Sequence, residues 1–138
     1  MKYLVEELHP KDWDALSEKA HLTVFETHKP REWDRIDFAL LVKTENDQWC
    51  GYATCREHDH ESLYWQYGGA FPGTKDSSLS FPAYRAIAEH CQARYKRITT
   101  LVENTNLVYI KFLMKVGFRI VGVKMFGGKI LLENMWEK

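Results

Sequence analysis

The 138-residue chain has only three cysteines, Cys50, Cys55 and Cys91, and no CxxC spacing among them. An odd count without that spacing argues against a disulfide framework or a thiolate zinc knuckle, and the three read as buried free thiols. No apolar stretch approaches the roughly 18 residues that span a bilayer, and the opening MKYLVEELHPKDW contains no signal-peptide apolar region. No membrane partner is expected, and the cytoplasm is the expected location. Neither sign of charge is in excess, since 19 Lys and Arg balance 19 Asp and Glu. Without a net field, no nucleic-acid partner is expected either. Repeats, low-complexity tracts and Gly/Ser/Pro linkers are also missing, so residues 1–138 read as a single domain.

What is present is a mixed pattern of short strands and helices. Hydrophobic residues make up 45% of the chain and charged ones 28%, a balance that supports a packed core. Residues 2–8 alternate as a strand, and Pro10 opens a helical stretch carrying Trp13, Leu16 and Ala20. Residues 21–37 show no clean period and read as an irregular second helix followed by a loop. Residues 38–43 and 48–56 form an expected hairpin about the turn signal Glu45-Asn46-Asp47, and 57–61 make the next turn. The segment SLYWQYGGA, residues 62–70, is an aromatic-rich strand whose Gly68-Gly69 pair predicts a bulge or a close backbone approach. A helix from Ser80, a strand at 98–102, a helix at 107–116 closed by Gly117, and a hairpin of 119–126 with 129–136 complete the order.

In that order, residues 70–118 resemble the core of the GNAT superfamily, the acyl-coenzyme A dependent N-acetyltransferases. Pro72 falls on the proline of the family pattern V-x-P-x-x-[RQ]-G-x-G-x-[GA] and Lys75 on its Arg or Gln, while Ser78 and Ser80 replace glycines. Downstream, Asn106, Lys115 and Gly117-Phe118 fall on the Asn and the K-x-GF ending. The resemblance implies an α/β (α+β) fold: a central mixed, mostly antiparallel sheet flanked by helices, with a splayed parallel strand pair. It implies acetyl-CoA as co-substrate and an amine of a small molecule or protein as acceptor, with a homodimer allowed.

The resemblance also assigns a site. Lys75, Ser77, Ser78, Leu79 and Ser80 would cradle the coenzyme pyrophosphate with backbone N–H groups at a helix N-terminus, where the helix dipole favours an anion. Tyr67, Gly68, Gly69 and Ala70 would bond the pantetheine arm as an added strand, with Asn106 beside it. The Ser side chains crowd the cradle, and Pro82 removes one N–H; an ordinary helix start capped by Ser80 is the alternative. The family tyrosine that protonates the departing thiolate falls on Leu113, which has no proton to give. Tyr109, one turn earlier, is either its substitute or an aromatic core residue with Phe112 and Val116. Glu103 and Glu61, with His60, are candidate bases for the attacking amine, or solvated strand-end groups. The run Glu57-His58-Asp59-His60-Glu61 has metal-binding residue types packed too closely in sequence to converge on one ion, so no metal is expected. More narrowly, ENTN followed by IKFLMKVGF is similar to GNAT-like proteins of tailed bacteriophages. That likeness implies a second reading: a catalytically inactive binding or assembly protein of the same fold, in the host cytoplasm or the virion.

Overall fold

The computed structural model describes residues 2–25, 35–70 and 80–138. These form β1 (Tyr3–Leu8), α1 (Pro10–Phe25), β2 (Phe38–Thr44), β3 (Trp49–Glu57), β4 (Ser62–Ala70), α2 (Ser80–Gln92), β5 (Arg97–Glu103), α3 (Leu107–Lys115), β6 (Arg119–Phe126) and β7 (Lys129–Glu137). The strands make one sheet in the order β1-β2-β3-β4-β5-β7-β6. Every neighbouring pair is antiparallel except β4 and β5, which are parallel.

Burial follows the sequence pattern strand by strand. The near-continuous apolar run of β2, FALLVKT, is enclosed on both faces, as expected of a strand between two helix layers. β5, RITTLVE, alternates, with Ile98, Thr100 and Val102 turned into the core. On one face Leu40, Val42, Cys55, Leu63, Trp65, Ile98 and Val102 pack with Ala83, Ile87, Ala88 and Cys91 of α2 and with Ile110, Phe112 and Leu113 of α3. On the other, Trp13 of α1 packs with Ala39, Leu41 and Tyr52. All three cysteines are buried free thiols, and the indole N–H of Trp65 donates to Cys91 Sγ at 3.4 Å.

One expectation is corrected: α1 runs unbroken to Phe25, so residues 21–25 continue the first helix rather than opening a second, irregular one, and 26–34 lie outside the described residues. Of the two readings of Gly68-Gly69, the close backbone approach is the one met, while the β3–β4 bulge lies at Gln66, where the register jumps from Cys55↔Trp65 to Thr54↔Tyr67. Among the described residues no helix is long and apolar enough to cross a membrane.

Candidate active site

β4 and β5 pair in parallel from Ser62↔Arg97 to Trp65↔Thr100 and then separate, although β4 continues to Ala70 and β5 to Glu103. The bulge at Gln66 supplies the cause. An extra residue bends a strand and increases its twist, so beyond it β4 follows β3, with Tyr67 on Thr54 and Ala70 on Gly51. β5 meanwhile follows β7, with Leu101 on Glu133 and Glu103 on Leu131. The hydroxyl of Thr100 donates to the Trp65 carbonyl at 3.2 Å, closing the last rung before the gap. Past that rung the β5-facing edge of β4 has no strand partner among the described residues, and an extended ligand with amide groups can pair with it.

Gly68 is held to glycine by its neighbour. A Cβ there would come within 2.5 Å of the Tyr52 carbonyl oxygen and 3.3 Å of Ala53 Cα. The close backbone approach read from the Gly-Gly pair is therefore made by β3.

Both helix N-termini point to the splayed end. β4 finishes there, and α2 starts after it and returns along the sheet, so that the Lys96 and Arg97 N–H groups reach the Glu61 carbonyl at the far end, each at 2.9 Å. Their dipoles give that end a positive bias. Ser80 is the first residue of α2. Lys75, Ser77, Ser78 and Leu79 lie outside the described residues.

α3 begins at the same end. Asn106 caps it, its Oδ1 accepting from the Tyr109 N–H at 3.3 Å, and its Nδ2 has no partner among the described residues. Tyr109 is packed edge-on to Tyr84 of α2 at 5.7 Å between ring centroids and stacked on Phe112 at 6.0 Å. Burial, with Tyr84 beside it, pushes its phenol well above the usual range. A phenol so shifted holds its proton at neutral pH, and passing that proton to a thiolate with a parent value near 8.5 is uphill. Leu113 is wholly enclosed, at 0% exposure, in the core between α2, α3 and the sheet.

The two carboxylates read as candidate bases separate. Glu103 ends β5 at the splay, partly exposed, with Lys129 Nζ 4.0 Å away and its carbonyl accepting from the Asn106 N–H at 3.0 Å. Glu61 precedes β4 at the opposite end of the sheet and bonds Lys96 Nζ at 3.2 Å. His60 shares that remote, exposed turn. The structure thus brings Tyr67, Gly68, Gly69, Ala70, Ser80, Glu103, Asn106 and Tyr109 to one end and leaves Glu61 out. Sequence reasoning missed Gln66 and Thr100, which create and close the gap. The signal for Thr100 was a polar residue on the inward phase of a strand; a bulge at Gln66 shows only when two strands are set in register. Among the described residues no group of His, Cys, Asp or Glu converges to hold a metal ion.

No protein-family model matches the chain, and no curated protein matches it. Solved structures do. Naa50 of Arabidopsis thaliana, in complex with the bisubstrate analogue CoA-Ac-MVNAL, has a TM-score of 0.75 at 14% identity over 100% of both chains. The ribosomal-protein-S18-alanine N-acetyltransferase of Escherichia coli reaches 0.76 at 9% identity over 99% of this chain and 94% of its own. IAA acetyltransferase of Bacillus cereus gives 0.74 at 11% identity over 99% and 100%. At these identities the likeness establishes the fold, which is that of the GNAT N-acetyltransferases.

Proposed function

We propose that this chain binds acetyl-CoA along the open edge of β4 and transfers its acetyl group to an amine, with slow turnover. The observation that carries the reading is the separation of β4 from β5 beyond Trp65 and Thr100, which leaves a length of backbone free for amide pairing between two helix N-termini. The complex of Naa50 with a CoA-acetyl bisubstrate analogue supports a donor of that class on this fold. The spermidine N-acetyltransferase among the structural neighbours, beside the S18-alanine enzyme, supports an amine acceptor and shows that the fold alone does not choose which.

In this reading Tyr67, Gly68, Gly69 and Ala70 hold the pantetheine amides with their backbone groups. Lys75 and the N–H groups of Ser77, Ser78, Leu79 and Ser80 hold the pyrophosphate, and the free Nδ2 of Asn106 donates to the arm. Glu103 accepts, through water, the proton that an ammonium near 10.4 must lose before its nitrogen can attack the thioester carbonyl. As the new C–N bond forms, the C–S bond breaks and the electron pair leaves with sulfur. No side chain at position 113 supplies a proton to it, and Tyr109 gives its own up reluctantly. Loss of a general acid costs about 10² to 10⁴ in rate, which a thiolate leaving group tolerates.

Calorimetric titration with acetyl-CoA, followed by thiol release with a panel of amines, tests the proposal. A dissociation constant below about 1 mM, weakened at least tenfold by Lys75→Glu, is expected. A folded protein that takes up no acetyl-CoA at that concentration would refute it. Binding without thiol release from any amine would favour the second reading, a fold that keeps its ligand and has lost the reaction, to which the enclosed Leu113 already points.

A further inference from the structure

The chain-wide balance of charge conceals a local excess. Residues 104–132 hold five basic residues and no acidic one, leaving 14 against 19 elsewhere. The same segment holds nine of the ten large hydrophobic side chains that stand exposed among the described residues, the tenth being Leu4. Cations and bare apolar side chains thus share one surface, built by α3 and the β6–β7 hairpin. The hairpin tip and the start of α3 lie at the same end of the sheet, where the Asn104 N–H reaches the Ile130 carbonyl at 2.9 Å. Register puts Val123 beside Leu132 and Met125 beside Ile130, on the face against which α3 packs, since Leu132 borders the core that holds Ile110, Phe112 and Leu113. Met125 is 77% exposed and Phe126 73%, and a Cβ on Gly127 or Gly128 would meet nothing within 4 Å among the described residues, so the tip projects from the fold. Lys124 and Lys129 flank it, and Lys111 follows Leu107 by one turn on α3. Of these three, only Lys129 meets a carboxylate among the described residues, that of Glu103 at 4.0 Å.

We infer that this tip docks on an anionic phospholipid bilayer, with Met125 and Phe126 entering the interface and Lys111, Lys124 and Lys129 at the headgroups. The interfacial zone of a bilayer accepts apolar side chains to a depth of about 5 to 10 Å, and anionic headgroups attract cations, so such a partner matches both halves of the surface. Two strand residues span about 7 Å, so a tip inserted to that depth carries Val123 and Ile130 in with it. Lysine stems lie along the inserted side chains while each ammonium stays in water among the phosphates. Leu107 and Val108, both exposed at the start of α3, meet the same plane. Other occupants match one half only. Nucleic acid would use the cations and leave Val123, Met125 and Ile130 without contacts that reward burial. A second copy would bring the same unbalanced cations to the contact, and like charges across an interface oppose association. None of the docking side chains takes part in the proposed acetyl transfer, so the two readings can fail separately.

Co-sedimentation of the full chain with lipid vesicles tests the surface. At about 0.1 M salt, vesicles of phosphatidylcholine with about 30% phosphatidylserine should take up the protein at least tenfold more strongly than phosphatidylcholine alone, and raising the salt to about 0.5 M should weaken uptake at least fivefold. Lys111→Glu combined with Lys124→Glu is expected to weaken it at least tenfold, since each lysine near an anionic surface contributes about a fivefold gain. Lys2→Glu combined with Lys11→Glu makes the same change in net charge beside β1, at the opposite edge of the sheet, and should weaken it less than threefold. Met125→Ser combined with Phe126→Ser alters no charge and should weaken it at least tenfold. All six positions are exposed, so unfolding midpoints should stay near that of the wild type. No uptake by the mixed vesicles overturns the proposal. Equal loss from the two charge pairs overturns it too, by reducing the attraction to net charge, as does undiminished uptake of the serine variant, which would leave nothing inserted. A lipid-free dimer that the serine variant abolishes would assign the tip to a second copy instead, and an oligonucleotide held more tightly than the mixed vesicles would assign it to nucleic acid.

Discussion

In the proposed reading Leu113 limits the chemistry, because it occupies the position where the family resemblance calls for a proton donor. A tyrosine there would have to place a phenol ring in a space that encloses leucine completely, with the hydroxyl inside the core. Overpacking of this kind costs about 1 to 3 kcal/mol, and a hydroxyl buried without a partner about 1 to 3 more. Leu113→Tyr is therefore expected to lose roughly 2 to 6 kcal/mol in urea unfolding and to leave thiol release no faster than wild type. A variant as stable as wild type with faster release would mean that position 113 opens towards the donor after all. Gly68 shows the same logic in reverse, since its missing side chain is required by the Tyr52 carbonyl and not by a ligand.

At the scale of elements, α3 is the helix whose ends are set most locally. Asn106 caps its start. At its other end the Phe118 N–H reaches the Leu113 carbonyl at 2.9 Å and the Gly117 N–H reaches that of Met114 at 3.2 Å, with Gly117 in the left-handed region at φ 97°. This pair of bonds is the Schellman closure that favours glycine. A Cβ on Gly117 would also stand 3.1 Å from Trp136 Cδ1. Gly117→Ala is accordingly expected to cost about 1 to 2 kcal/mol and lower Tm by roughly 3 to 10 °C, read by circular dichroism; an unchanged Tm would show that the closure contributes nothing. Gly117, Gly127-Gly128 and the strand alternations are local signals, which is why these boundaries were legible in the sequence. The continuation of α1 was not, because Thr23, Val24 and the neighbouring His21 carry weak helix preference and no stop signal. The bulge at Gln66 was not legible because it belongs to the register of two strands rather than to either one. Glu61 was drawn into the site by its nearness in sequence to the Gly-Gly strand. The strand's direction puts the splay at its C-terminal end, about 25 Å away at ~3.3 Å per residue.

At the scale of the whole molecule, the two ends of the sheet are held differently. At the splayed end no strand joins β4 to β5 among the described residues. The far end is tied by a polar cluster in which Arg94 donates to Glu7 and lies over the Phe38 and Tyr95 rings at 5.2 and 5.3 Å, while the Tyr95 hydroxyl donates to Glu57. Burial first, and the Glu57 hydrogen bond second, push the Tyr95 phenol well above its ordinary value, as burial does for Tyr109 at the other end. A group whose folded-state pKa exceeds its unfolded value near 10 adds stability that is fully present below pH 10 and is lost as pH climbs towards the folded value, because the unfolded chain ionises first. Lys43, raised chiefly by its hydrogen bond to Glu6, acts in the same direction. Burial raises the Cys50 and Cys55 thiols as well, so urea midpoints should stay flat to about pH 8, decline from there as the unfolded thiols ionise, and fall more steeply from pH 10 to 11. The two phenols can be told apart at neutral pH. Tyr95→Phe removes the hydrogen bond to Glu57, which keeps Arg94 at 3.6 Å from the same oxygen, and should lower stability modestly, whereas Tyr109→Phe, which keeps the ring stacked on Phe112, should be close to neutral at pH 7. Both variants should show a shallower alkaline decline than wild type, with Lys43, Tyr3, Tyr64 and the thiols of Cys50 and Cys55, which are raised too, accounting for what remains, and the native protein should show late-titrating tyrosinate absorbance near 295 nm. A midpoint unchanged between pH 9 and 11, or a decline that neither substitution softens, would mean that the buried phenols do not govern the alkaline limit of this fold.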